Sequence, residues 1–146
     1  MRLKPCLLIA LFSLVFHNLY SQDNLNKGLL TVQVSGTENR EGKILLALCR
    51  NETEFTSGDS AFRAVHLSIS EHITTHRFED IPFGTYAIKV FHDADDDGVL
   101  DKSFLGMPTE NYGFSNNARG TFGPASWADA RFTFDQLSDT LIIHLE

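Results

Sequence analysis

The chain has 146 residues, of which 42% are hydrophobic and 11% are aromatic, and its formal net charge is −7 at pH 7. This length and composition are typical of one globular domain and exclude a disordered chain. The acidic balance argues against nucleic acid or an anionic membrane as a partner, because both carry negative charge.

The N-terminal segment has the order of parts found in a secretory signal. Arg2 and Lys4 precede the apolar run CLLIALFSLVF, and a polar stretch follows it. This run is too short to cross a bilayer, which takes about 20 residues, and the exit near Gln22 suggests cleavage. We expect residues 1–21 to be a signal peptide, with an uncleaved anchor as the alternative. Residues 22–146 would then be one exported domain, periplasmic or at the cell surface, with no membrane span.

Cysteine use fits an exported domain without disulfides. Cys6 lies inside the apolar run and leaves with the signal, so Cys49 is the remaining thiol. One thiol cannot form an internal disulfide, so core packing, with or without a metal, must hold the domain together. Losing Arg2 and Lys4 also takes the net charge from −7 to −9.

Short segments rich in β-branched and aromatic residues recur between turn signals, and none keeps a helical period for three turns. We predict an all-β fold, a seven-stranded antiparallel two-sheet sandwich with one long loop rich in aromatic residues, Gly and Asn. The predicted strands are Leu29–Ser35, Lys43–Arg50, Ala64–Ser70, Ile73–Glu79, Thr85–His92, Ala130–Phe134 and Thr140–Leu145.

Two of these strands have informative faces. KILLALCR, from Lys43 to Arg50, is apolar on both alternating faces, which predicts a strand covered on both sides and a buried Cys49. In the strand that ends at His92, the even-numbered residues from Tyr86 onward share the face that we expect to point inward. His92 would then lie at the end of the strand, beside an acidic loop.

That loop, DADDDGVLD, has the spacing of a calcium-binding loop. Asp93, Asp95, Asp97 and Asp101 fall at positions 1, 3, 5 and 9 of the loop that EF-hands use, and Gly98 at position 6 supplies a bend with positive φ. Position 12 is Phe104 in place of the usual Glu, and the flanking helices are missing. The predicted calcium ligands are Asp93, Asp95, Asp97, the Val99 carbonyl, Asp101 and Glu110. The alternative is a solvated, metal-free Asp-Gly turn.

The segment from Ser103 to Trp127 is long, irregular and rich in aromatic residues, so we expect it either to pack over an end of the sandwich or to build a binding surface. Such a surface would suit a glycan or a cell-surface protein, because aromatic rings stack on sugars. Its candidate residues are His92, Tyr112, Phe114, Asn116, Asn117 and Trp127.

The sequence has no motif typical of a catalytic site. His72 and His76 would lie about 13 Å apart in an extended strand, too far to share one ion. GFSNN, from Gly113 to Asn117, lacks the second glycine of a nucleophile elbow. We therefore predict no catalytic residue, and a hydrolase that uses residues 103–127 is the alternative.

The segments FEDIPFGTYAIKVFHDADDDGVLD and GMPTENYGFSNNARG resemble a bacterial family of exported proteins, domain of unknown function 2141. The resemblance marks a set of motif positions: His92, Asp93, Gly98, Asp101, Gly106, Pro108, Glu110, Tyr112, Gly113, Phe114, Ser115, Asn116 and Asn117. The entry to the strand that ends at His92 is also similar to transthyretin-like and carboxypeptidase-regulatory β-sandwiches, and the exit of the signal is similar to that of Bacteroidetes exported proteins. The resemblance implies an exported β-sandwich and leaves its activity open.

Together these features predict a non-catalytic exported module with a calcium-binding loop. A small hydrolase and a purely structural domain without a ligand are the alternatives. The sequence leaves the oligomeric state open.

Overall fold

The computed structural model describes residues 26–58, 60–69 and 72–146. The predicted signal peptide, residues 1–21, lies outside the described residues. Among those that are described, no helix combines the length and the apolar character that a membrane crossing requires.

The described chain forms eight strands, two short α-helices and one 3₁₀ helix. The strands are β1 (Lys27–Ser35), β2 (Lys43–Cys49), β3 (Arg63–Ser68), β4 (Ile73–Pro82), β5 (Gly84–Asp93), β6 (Tyr112–Phe114), β7 (Phe132–Phe134) and β8 (Ser138–His144). The helices are α1 (Glu52–Thr56), α2 (Trp127–Ala130) and the 3₁₀ helix Ser115–Asn117.

The strands form two sheets, so the predicted all-β sandwich is confirmed. The smaller sheet has the order β4-β1-β8. The larger sheet has the order β3-β2-β5-β6, and β7 also pairs with β5, along Gly84–Tyr86.

Three details of the prediction need correction. The described residues contain eight strands and not seven, because Tyr112–Phe114 forms β6 inside the predicted loop. The sandwich is not wholly antiparallel, since β8 runs parallel to β1, with Leu29 opposite Ser138. Ala130 ends α2, so the strand predicted from Ala130 begins at Phe132. A three-residue strand is too short to have a readable period, and strand direction depends on long-range contacts that a local pattern does not contain.

The main core lies between the two sheets. Leu30 and Val32 from β1 meet Leu46 from β2 and Ile88 from β5, each at most 1% exposed. The predicted inward face of β5 is confirmed, because Tyr86, Ile88, Val90 and His92 are all buried.

A second apolar cluster covers the opposite face of the larger sheet. Cys49 and Ala87, paired across β2 and β5, share this face. Phe55 of α1 packs on it with its ring centroid 5.6 Å from that of Phe114 and 5.9 Å from that of Trp127. Phe114 and Trp127 of the long aromatic segment therefore pack on this face, whereas Phe104 and Phe122 of the same segment are exposed. The predicted burial of Cys49 is confirmed.

The two sheets join along one side. Tyr112 of β6 and Glu146, just after β8, exchange backbone hydrogen bonds of 3.1 and 3.0 Å. The Asn117 side chain extends this seam, accepting from the His144 N–H at 2.9 Å and donating to the Ile142 carbonyl at 3.4 Å. The segment after the acidic loop is therefore anchored to the last strand.

Candidate metal site

The acidic loop begins where β5 ends. Asp93 is the last residue of β5, lies opposite Lys43 of β2, and is 0% exposed. Its two carboxylate oxygens accept the backbone N–H groups of Asp97 and Gly98, at 3.1 and 3.0 Å. A buried carboxylate needs such partners, so the loop is wrapped around Asp93.

Positive φ angles at two positions make this tight wrapping possible. Gly98 has φ of +82°, which confirms the predicted bend. Asp96 has φ of +63°, a left-handed conformation that aspartate tolerates better than most residues. Asp97 adds a local bond, since its Oδ1 accepts the Val99 N–H at 2.8 Å.

Three carboxylates converge on one point. Oxygens of Asp93, Asp95 and Asp97 all lie within 4.8 Å of one another, the first residue being buried and the other two exposed. Three carboxylate oxygens this close together could hold a metal ion of the kind that prefers oxygen ligands.

Asp96, which lies between Asp95 and Asp97 in the chain, does not belong to this convergent set. Asp96 pairs with the Lys43 ammonium group, with an N–O distance of 2.6 Å. An exposed ion pair of this kind contributes little to stability, about 0–1 kcal/mol. Its consequence here is positional, because it directs Asp96 away from the other three carboxylates.

The electrostatics of the loop favour a cation. The pKa of Asp95 is raised by partial desolvation and by the negative charges of Asp97, Asp101 and Asp93. These like charges make the ionised form of Asp95 less favourable than that of an isolated aspartate. A bound cation would reverse that effect, because an opposite charge stabilises the carboxylate.

Glu110 closes the ends of the loop. Its Oε1 accepts the Ala94 N–H at 2.8 Å, and its Oε2 accepts the Asp101 N–H at 3.0 Å. One side chain therefore holds the first and last parts of the loop together. We refer to Glu110 in this role as the loop clip.

The predicted ligands thus occupy different places. Asp93, Asp95 and Asp97 form the convergent set, and Asp101 lies close enough to influence Asp95. Glu110, predicted as a ligand, has both oxygens engaged with backbone N–H groups, although each keeps a second lone pair. The clip and the Lys43 counter-charge were not predicted, because both are contacts across the fold.

The predicted ligand-binding residues have different surroundings: Tyr112, Phe114 and Asn117 share the wall of one small pocket, whereas His92 is buried. His92 is 2% exposed, and its Nε2 lies 2.8 Å from the Glu41 carbonyl oxygen, to which it donates. Phe114 is 9% exposed and belongs to the second cluster, which Trp127 and Tyr112 flank as partly buried residues.

The polar side chains of GFSNN form hydrogen bonds with backbone groups of neighbouring segments. The buried hydroxyl of Ser115 accepts the Ile88 N–H at 2.8 Å and donates to the Ala130 carbonyl at 2.6 Å. Asn116 donates to carbonyls at the end of α2, the nearest being that of Arg131 at 3.0 Å. Ser115 is therefore engaged inside the fold and does not face solvent as a nucleophile would.

A small pocket lies beside the seam between β6 and β8. Its volume is about 150 Å³, and Tyr112, Phe114, Asn117, Arg119 and His144 contribute to its wall. Ligand pockets for drug-sized molecules are about 300–1,000 Å³, so this one has room for a single small group.

Comparison with known proteins finds one family. The model of a family described as uncharacterised proteins conserved in bacteria, DUF2141, matches residues 32–141. No curated protein and no solved structure matches the chain. The matched region contains the acidic loop, the loop clip and every strand except the start of β1 and the end of β8.

Proposed function

The chain belongs to the bacterial family DUF2141, and from that premise we propose that it is a non-catalytic module whose acidic loop binds calcium. The observation that carries the proposal is the convergence of Asp93, Asp95 and Asp97, with oxygens within 4.8 Å of one another. The Asp93 backbone contacts and the Glu110 clip support it, because they hold the loop in shape before an ion arrives.

The expected affinity is low. The loop lacks the bidentate glutamate of position 12, and two of its three convergent carboxylates are exposed. We expect a dissociation constant on the order of 10–100 µM, toward the weak end of known protein sites and between the ranges of intracellular sensors and extracellular modules. At about 1 mM free calcium, this affinity would stabilise the folded state by roughly 1.4–2.7 kcal/mol.

Thermal melting in calcium and in chelator tests the proposal. The parent protein should melt several degrees higher in about 1 mM calcium, and magnesium should do much less because it gives up its waters reluctantly. The double substitution Asp95→Asn and Asp97→Asn should abolish the calcium shift. It should also raise the melting temperature in chelator, because it removes like charges from the loop.

A matched control removes the same charge elsewhere. Asp80 and Asp135 are exposed and lie outside the loop, and Asn at both positions should leave the calcium shift intact. An unchanged melt of the parent protein in calcium, with no heat of binding in titration calorimetry, would reduce the loop to a solvated turn.

We further propose that the module is exported and acts in the periplasm or at the cell surface, where it presents a surface to a glycan or a protein. The N-terminal signal pattern supports export. Intact-mass analysis of native material tests it, because the mature protein should begin near Gln22. A small hydrolase and a purely structural domain are the other functions that the sequence left open, and Ser115, with its engaged hydroxyl, does not favour the hydrolase.

A further inference from the structure

A second feature of the same region has no part in calcium binding. Phe104, Leu105 and Met107 are 101%, 79% and 65% exposed. They lie within four consecutive positions of one loop, and we call them the apolar tip. Scattered exposed apolar residues are ordinary, whereas a contiguous group marks a surface that contacts something else.

The exposure of the tip is built into a short hairpin. The Gly106 N–H donates to the Ser103 carbonyl at 2.8 Å, and the Ser103 N–H donates to the Met107 carbonyl at 2.7 Å. Lys102 pairs with Pro108 behind this turn. Phe104 and Leu105 therefore occupy the two central positions of a β-turn, where polar residues, Gly and Pro usually stand.

Folding does not account for these side chains. The tip belongs to neither of the two apolar clusters in the described part of the chain. Gly106 provides the positive φ of this turn, +79°, so the turn does not require apolar residues at the neighbouring positions. Large apolar side chains at the apex thus bring no packing energy to this domain.

The shape and charge of the hairpin suit the interface of a lipid bilayer. The apex lies two residues beyond the Lys102–Pro108 pair, about 7 Å at 3.3 Å per residue, which agrees with the depth of about 5–10 Å reached by interfacial segments. Between Asp101 and Glu110, Lys102 is the only charged residue, and its long stem lets the ammonium group reach headgroups while apolar neighbours insert.

The same features argue against a protein as the partner of the apolar tip. The side chains of the tip have no hydrogen-bonding group with which to orient a partner, whereas protein interfaces carry about one hydrogen bond per 100–200 Å². The negative charge of the chain, and the aspartates behind the hairpin, oppose an anionic surface. We propose that the apolar tip inserts into the interface of a zwitterionic lipid bilayer.

Vesicle binding, measured in chelator so that it does not depend on the calcium site, tests this inference. Sucrose-loaded phosphatidylcholine vesicles at millimolar lipid should sediment the protein, with a partition constant below the roughly 10⁴ M⁻¹ of one myristoyl chain. Replacing part of the lipid with phosphatidylglycerol should weaken binding. Phe104→Ser with Leu105→Ser should lower the partition constant about tenfold or more, because two inserting side chains are lost.

The matched control makes the same chemical changes elsewhere. Phe122 and Leu137 are 101% and 70% exposed and lie outside the hairpin, so Phe122→Ser with Leu137→Ser should bind as the parent does. A direct probe is Leu105→Trp combined with Trp127→Phe, whose fluorescence should shift to the blue and be quenched by lipids brominated in the acyl chain. Absence of sedimentation and of quenching, or an equal loss in the control variant, would overturn the proposal.

Discussion

At the scale of single residues, several polar side chains form hydrogen bonds with backbone groups of other segments. Ser115 joins β5 to the end of α2 through Ile88 and Ala130. Glu110 joins the two ends of the acidic loop. In each case the side chain forms hydrogen bonds with backbone groups that lack a partner within a strand or helix. Such groups would otherwise cost free energy when they are removed from water.

The Cys49 thiol gives a prediction about pH at the same scale. Burial raises its pKa from 9.0 to about 11, and the nearby Glu54 charge adds to this while Lys89 opposes it. Between these two pKa values the thiol therefore keeps its proton in the folded state and loses it in the unfolded state. The free energy of unfolding should fall as pH rises from about 9 to about 11, by up to about 1.4 kcal/mol per pH unit.

Urea unfolding at pH 8, 9 and 10 measures this dependence. Cys49→Ala should make the free energy of unfolding fall less steeply over the range. Some slope should remain, because burial also raises the pKa of Tyr86. Equal slopes for the parent and Cys49→Ala would contradict the assignment of the effect to this thiol.

At the scale of elements, β8 depends on a side chain from the 3₁₀ helix. Asn117 has φ of +47° and bonds both Ile142 and His144. Asn117→Gly removes the side chain and keeps the backbone conformation accessible. Local opening at the end of β8 should become easier by about 0.5–1.5 kcal/mol.

Hydrogen exchange of single amides measures that opening. The His144 amide should exchange roughly two- to tenfold faster in Asn117→Gly. The Leu46 amide of β2, in the larger sheet and away from β8, is the internal reference and should not change. Unchanged exchange at His144 would mean that the backbone pairing of β8 with β1 is sufficient without the side chain.

Contacts between residues close in the chain could be predicted from the sequence, whereas contacts between distant segments could not. The convergence of Asp93, Asp95 and Asp97 followed from spacing, because these residues are close in the chain and a turn brings them together. The inward face of β5 followed from its period of two. The β1–β8 parallel pair, the clip formed by Glu110 and the Lys43–Asp96 pair each join residues at least nine positions apart. No local pattern specifies such contacts.

At the scale of the whole molecule, the larger sheet is shared by two apolar layers. Ile88 of β5 faces the core between the sheets, whereas Ala87 faces the second cluster with Cys49. Neither layer can lose its packing without exposing one face of the same strands. We therefore expect both layers to unfold in one cooperative transition, as small domains usually do.

The single tryptophan allows this expectation to be tested. Trp127 packs against Phe55 in the second cluster, so its fluorescence reports that layer, while far-ultraviolet circular dichroism reports the strands of both sheets. The two signals should have the same midpoint in urea. Phe55→Ala leaves a cavity where a 6% exposed ring stood and should destabilise the protein by about 3–5 kcal/mol, moving both midpoints together. Phe122→Ala, at a fully exposed position, should move neither. If Phe55→Ala moved the fluorescence midpoint alone, the second cluster would unfold as a separate unit, and the segment after the acidic loop would have a stability of its own.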